Sequence, residues 1–345
     1  MATSRCLHRI ARFAGCLGWA VLVQFIASPA FAVETVNVYS IWPENWTKPL
    51  FEEFENATGI KVNTVRFSSR WALARIIADK NSPPVDVLFG GRVETFAAGI
   101  KEDIFESYKP RSFDVLSARF RQADGQWTAI ADDPLVVMTN NRFVKENNLK
   151  APASWNDLLA LPYRNMLQMA DARTSEAAVL RIFSILEVNG RDENKAFDYM
   201  KKLRSNVQFY TKTDAGGTLP VGLGQVGGGI FFISDALDTQ AKGYDVTISV
   251  PKEGIGSAAE GIALIKRAKN PELGKKLIDW ATSPTMQSNF AKYNINLVPA
   301  HPDAVLAPSL REILKGGKFF SIDADYAAAN RKRIVDRWVA EVLNR

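Results

Sequence analysis

The chain has 345 residues with 43 Lys+Arg against 37 Asp+Glu, and 47% of its residues are hydrophobic and 23% charged. This length suits two domains, or two lobes of one fold, and is ample for a buried core. The composition excludes a disordered tail, a collagen-like repeat and a multi-span membrane protein.

Arg5, Arg9 and Arg12 precede an apolar stretch from Phe13 to Ala27, and Ala30-Phe31-Ala32 supplies the small residues of a cleavage site. Residues 1–32 therefore read as a secretory signal peptide, with an N-terminal anchor helix as the alternative. Without them the chain keeps 40 basic against 37 acidic residues, loses Cys6, Cys16 and His8, and retains one histidine, His301. Such a chain has no disulfide, no thiolate nucleophile and no Cys/His zinc site. Its charge is too evenly balanced to indicate nucleic acid or an anionic membrane as partner.

From Glu34 onward short apolar strands alternate with amphipathic helices. Val36 to Tyr39 reads as a strand. Trp46, Leu50, Phe51, Phe54 and Ala57 recur at helical spacing over Trp46 to Thr58, and Gly59 closes that helix. Ile60 to Val65 is a strand, Trp71 to Lys80 a helix and Val85 to Phe89 a strand. This alternation implies parallel strands whose carboxyl-end loops gather at one edge, where ligands bind. Those loops are Ser40 to Glu44, Phe67 to Arg70 and Gly90 to Glu94.

Further along, Asp132-Asp133-Pro134 reads as a hinge before the strand Leu135 to Thr139, and Ser154 with Asp157 forms a capping box. Leu167 to Ala170 is a strand, and Asp171 to Glu176 leads into a helix ending near Val188. Val207 to Tyr210, Gly229 to Phe232, Tyr244 to Val250 and Gly261 to Lys266 are further strands. Helices dominate from Pro271 onward.

Ser40, Ser68, Ser69, Arg70, Gly91 and Arg92 stand at the expected edge. Hydroxyls and guanidinium groups there suit an oxyanion, and the alternative is caps and solvated surface charges. Thr174 and Ser175 head a long helix, a place for an anion or a plain N-cap. Gly217 and Thr218 begin a glycine-rich run without the spacing of a phosphate-binding loop; its glycines allow backbone to approach a ligand or pack tightly. Trp42 and Trp71 could stack on a ligand or join the core, whereas Trp155, Trp280 and Trp338 read as core. Asp132, Asp133 and Asp235 are the acids expected near the cleft, and Ser234 follows the last of the glycine-run strands. Asp235 reads as a helix cap and His301 as a surface residue. No pair of carboxylates or nucleophile–base set forms a catalytic constellation, so no catalytic residue and no cofactor are expected.

Val38-Tyr39-Ser40, Phe51 to Phe54 with Thr58 to Val62, Pro84 to Val87 with Gly90-Gly91, Asp171 to Ser175, Val221 to Gln225 and Ser283 to Gln287 resemble the extracellular solute-binding proteins of ABC importers. The branch they resemble takes ferric ion, thiamine, polyamines, phosphonates and sugar phosphates. The resemblance implies an α/β two-lobe clamshell of mixed, mostly parallel sheets with helices on both faces, the solute held at the interface. The expected layout is a signal peptide over 1–32 and a first lobe over 33–131. A second lobe follows over 134–248, a return to the first over 249–297, and C-terminal helices over 298–345 packing on the second.

Such a protein is a periplasmic monomer that hands its solute to an inner-membrane permease with its ATPase. The ferric members use neighbouring tyrosines where this chain has Ile230 to Asp235, which contains none. Together with Arg70 and Arg92 this favours a small organic anion, a phosphonate such as 2-aminoethylphosphonate or a sugar phosphate. A ferric, polyamine or thiamine binder is the alternative within the family; a ligand-sensing subunit or a secreted enzyme is the alternative outside it.

Overall fold

Strand β1 (Thr35–Ser40) is buried along most of its length and is followed by helix α1 (Glu44–Thr58). Leu50, Phe51 and Phe54 recur on one face of α1, so that face packs against the sheet. Gly59 ends the helix at φ 75°, where its N–H reaches the Glu55 carbonyl at 2.8 Å. Strand β2 (Lys61–Arg66) pairs only with β1 and is largely exposed, its charged and polar residues protecting a free edge. Helix α2 (Ser69–Ala78), strand β3 (Val87–Arg92), helix α3 (Val93–Lys101) and the short β4 (Phe105–Glu106) complete this part. Strands β2, β1 and β3 run parallel in that order, as the alternation of elements required.

The next strand, β5 (Thr128–Asn140), is buried over all 13 residues. After it come α4 (Asn141–Glu146), β6 (Leu167–Ala170), α5 (Glu176–Val188), α6 (Glu193–Arg204), β7 (Val207–Thr211), α7 (Thr218–Gly222), β8 (Gly228–Phe232), α8 (Ile233–Ala241) and β9 (Val246–Ser249). Strands β7, β6 and β8 are parallel, and β8 and β9 run antiparallel to β5. The capping box of Ser154 and Asp157 is present, on a 3-10 turn over Trp155–Leu159.

Strand β10 (Ile255–Ile265) joins the two parts. It pairs antiparallel with β3 on one side and with the first half of β5 on the other, giving the order β2-β1-β3-β10-β5-β8-β6-β7. Asp132-Asp133-Pro134, expected as a hinge, lies inside β5 opposite Ser257 to Ala259, so the crossing is a pair of continuous strands. The chain closes with α9 (Pro271–Ala281), α10 (Pro284–Ser288), β11 (Val298–Pro299), α11 (Pro308–Leu314), β12 (Phe319–Phe320) and α12 (Ala324–Trp338). Ile334 and Trp338 of α12 pack with α5, α6 and β6, while β11 adds to β5 and β12 to β10.

The structure, a computed structural model, describes residues 33–344, and the signal reading over 1–32 lies outside them. Among the described residues no helix is long and apolar enough to cross a membrane. His301, read as a surface residue, is buried: its N–H donates to the Gln287 side chain and its Nδ1 accepts from the Asp303 N–H.

Candidate functional site

The chain leaves β1 through Ile41-Trp42-Pro43 and leaves β3 through Gly91-Arg92 into α3. These ends face residues of β5, α5 and α8 across a cavity of about 460 Å³. Gly90 and Gly91 adopt φ of 79° and 92°, and a Cβ on Gly90 would lie 2.5 Å from Trp42 Cδ1. Glycine there lets the indole lie against the backbone. The indole is buried and stands edge-on to Phe89 and Trp46. Its Nε1 donates to Glu260 Oε2 at 3.2 Å, and the Gly91 N–H donates to the same oxygen at 2.8 Å. Glu260 sits where β10 slips register against both β3 and β5. Such a bulge re-aims a side chain, and here it points a carboxylate at the cavity.

Arg92 occupies the centre. Its guanidinium stacks 3.9 Å from the Phe232 ring and lies 3.5 Å from Glu260, 3.7 Å from Asp133 and 3.5 Å from Asp214. Burial disfavours its charge, but Glu260, Asp133 and Asp214 outweigh that and hold its pKa above the ordinary value. Burial pushes Asp133 up to about 8; Arg92 opposes the rise, and Asp235 and Glu260 add to it. Asp235 is pushed up to about 6 by burial and by Asp214. Asp132 faces away from Asp133 and meets Arg119 at 2.8 Å and the Ser257 hydroxyl.

The helix N-termini around the cavity fall into two groups. Asp133 caps α8, accepting from the Ser234 N–H at 3.2 Å and from its hydroxyl at 2.9 Å. Asp214, from the loop after β7, accepts from the Ser175 hydroxyl and lies 3.4 Å from the Ala177 N–H at the head of α5. By contrast, among the described residues no side chain caps α2, and α3 carries only the acid Glu94 in its first turn. Their leading N–H groups carry partial positive charge beside Ser69 and Arg70 on the cavity wall.

Over residues 82–330 the chain matches the family described as bacterial extracellular solute-binding protein. The chain belongs to that family. Its members bind solutes and are not enzymes, and the protein is the solute-binding component of an ABC importer. An uncharacterized protein of Haemophilus influenzae is 27% identical over 309 residues, covering 87% of each chain. A protein of Salmonella typhimurium named "Putative 2-aminoethylphosphonate-binding periplasmic protein" is 24% identical over 90% of this chain and 94% of its own. The periplasmic binding protein AfuA from Actinobacillus pleuropneumoniae, solved with exogenous fructose-6-phosphate bound, superposes with a TM-score of 0.70 at 25% identity. That match covers 90% of this chain and 99% of AfuA. The α/β clamshell expected from sequence is thus the fold of this solute-binding protein.

Of the residues singled out in the sequence, Trp42, Ser69, Arg70, Gly91, Arg92, Asp133 and Ser234 line the cavity of the solute-binding protein. Ser40 is buried beneath it and donates to the Trp42 carbonyl at 3.2 Å. Ser68 is exposed at the head of α2. Thr174 donates to the Lys212 carbonyl at 2.9 Å, and Ser175 caps α5 while donating to Asp214, so neither hydroxyl faces the cavity. Gly217 packs against Gln168 and Phe231, and Thr218 donates to the Ala215 carbonyl at 2.9 Å. Trp71 is 69% exposed and away from the lining. Asp235 stands in the first turn of α8, where the cap is Asp133. Sequence reasoning missed the acids Glu94, Glu176 and Glu260. Glu94 and Glu176 had a usable signal, since each stands in the first turn of a helix that the topology brings to this edge.

Proposed function

We propose that this solute-binding protein serves a bacterial periplasm and captures a small zwitterion of the aminoalkylphosphonate type. The carrying observation is the division of charge across the cavity. At the head of α2 stand an uncapped helix end, Ser69 and Arg70, a set suited to a phosphonate. Around the rest of the cavity the ends of α8 and α5 are already capped by Asp133 and Asp214, and Glu94 at the head of α3, Glu176 and Glu260 add acids to the wall. That wall suits an ammonium group.

This reading narrows the organic anion expected from sequence, because a sugar phosphate has no cation to offer the acidic wall. The Salmonella typhimurium relative carries a name of the same ligand class. Ferric ion finds less support: Ile230 to Asp235 carries none of the neighbouring tyrosines that the ferric members resembled in sequence use there.

Calorimetry with 2-aminoethylphosphonate, ethylphosphonate and glucose 6-phosphate tests the reading. Charge-assisted hydrogen bonds to the ammonium are worth about 1.5–3 kcal/mol, so the amine-free analogue should bind at least tenfold more weakly. Equal affinity for ethylphosphonate, or a preference for the sugar phosphate, would refute it.

A further inference from the structure

A second recess of about 270 Å³ lies beside the cleft, between α3, α5 and α12. It is walled by Ala97 and Ala98 from α3, Val179, Leu180 and Phe183 from α5, and Ala328 from α12. Its volume equals about nine water-sized units, enough for a short hydrocarbon group. Glu94 and Glu176 belong to the walls of both spaces, so the cleft and the recess meet at those two carboxylates. Arg331 grips Glu176 through both guanidinium nitrogens, at 2.7 and 2.5 Å, which fixes that side of the opening.

We infer that the recess is a subsite of the cleft, receiving a hydrocarbon substituent carried on the ammonium end of the solute. The inference rests on the zwitterion reading above. With Glu176 held by Arg331, Glu94 at the junction suits a cationic nitrogen, and the mainly apolar walls beyond suit carbon attached to that nitrogen. Lys101 and Arg331 also line the recess, the latter held by Glu176, so the solute's orientation rests on the head of α2: anionic end toward Ser69 and Arg70, substituted nitrogen beside Glu94. The preferred cargo is thus an N-alkylated aminophosphonate. The unsubstituted compound would leave the recess unfilled.

Calorimetry on the purified protein with 2-aminoethylphosphonate and its N-butyl and N-hexyl derivatives tests this. Each buried methylene contributes about fourfold in Kd (about 0.8 kcal/mol), so the N-butyl compound should bind more than tenfold tighter than the parent. In Ala328→Phe, which fills the recess from α12, the ratio of N-butyl to parent affinity should fall toward one. Ala97→Phe fills the same space from α3 and gives an independent reading should the first variant fold poorly. Parent binding with no gain, or a loss, on lengthening the chain overturns the recess as a subsite and leaves the zwitterion reading standing. Failure of all three compounds to bind overturns both.

Discussion

Asp133 carries the clearest consequence of a single side chain. It is 2% exposed, and its pKa rises from the ordinary 3.8 to about 8. The native state therefore holds a proton that the unfolded chain has released. Its contribution to stability is full below pH 3.8 and is lost as pH rises toward 8. Denaturant melts of the free protein should show stability falling by at most about 1.4 kcal/mol per pH unit from this group. Asp133→Asn, which keeps an acceptor for Ser234 and cannot ionise, should flatten that slope; an unchanged slope would assign it to other groups. The sequence placed Asp132 and Asp133 alike near the cleft, and the strand turns only Asp133 toward it. Sequence alone could not show Asp214 at the head of α5, since a loop acid reveals its partner only once the chain has folded. For that reason Thr174 and Ser175 left an anion site and a plain N-cap both open.

Among the elements, β10 decides most of the site. Its first half, Ile255 to Glu260, has small residues where a strand usually shows large apolar ones, so its start reads as Gly261 from sequence. Packing explains the choice: a Cβ on Gly256 would lie 2.5 Å from Ser184 Oγ and 2.8 Å from Leu180 Cδ1. The β1–α1–β2–α2–β3 run was legible because each helix has one apolar face and each strand a short apolar core. The α2 boundary, two residues earlier than its spacing suggested, was not, since exposed Trp71 mimics a core position. The bulge at Glu260 also yields a prediction. Glu260→Ala would leave the Trp42 indole N–H and the Gly91 N–H unpaired and remove one acid from Arg92, costing about 3 kcal/mol in chemical denaturation. Glu260→Gln keeps an acceptor and should cost about 1 kcal/mol. Equal losses would show that the carboxylate charge, not hydrogen bonding, dominates.

For the whole molecule, Arg92 links the two sides of the cleft. It leaves the end of β3, yet its ring partner Phe232 and two of its acids, Asp133 and Asp214, come from β8, β5 and the loop after β7. Opening and closing about the paired strands β5 and β10 would make and break those contacts together. Arg92→Ala removes the guanidinium that Asp133, Asp214 and Phe232 hold from the far side of the cleft. Small-angle scattering of the ligand-free variant should then show a larger radius of gyration than the wild type, with unchanged helical content by circular dichroism. Equal radii would mean that the arginine does not set the resting aperture. The tethering of Asp214 to α5 has an ecological corollary. A vacant jaw that shields its own electropositive helix end offers inorganic phosphate, sulfate and chloride one berth fewer, so abundant mineral anions should scarcely hinder capture of a scarce organic nutrient.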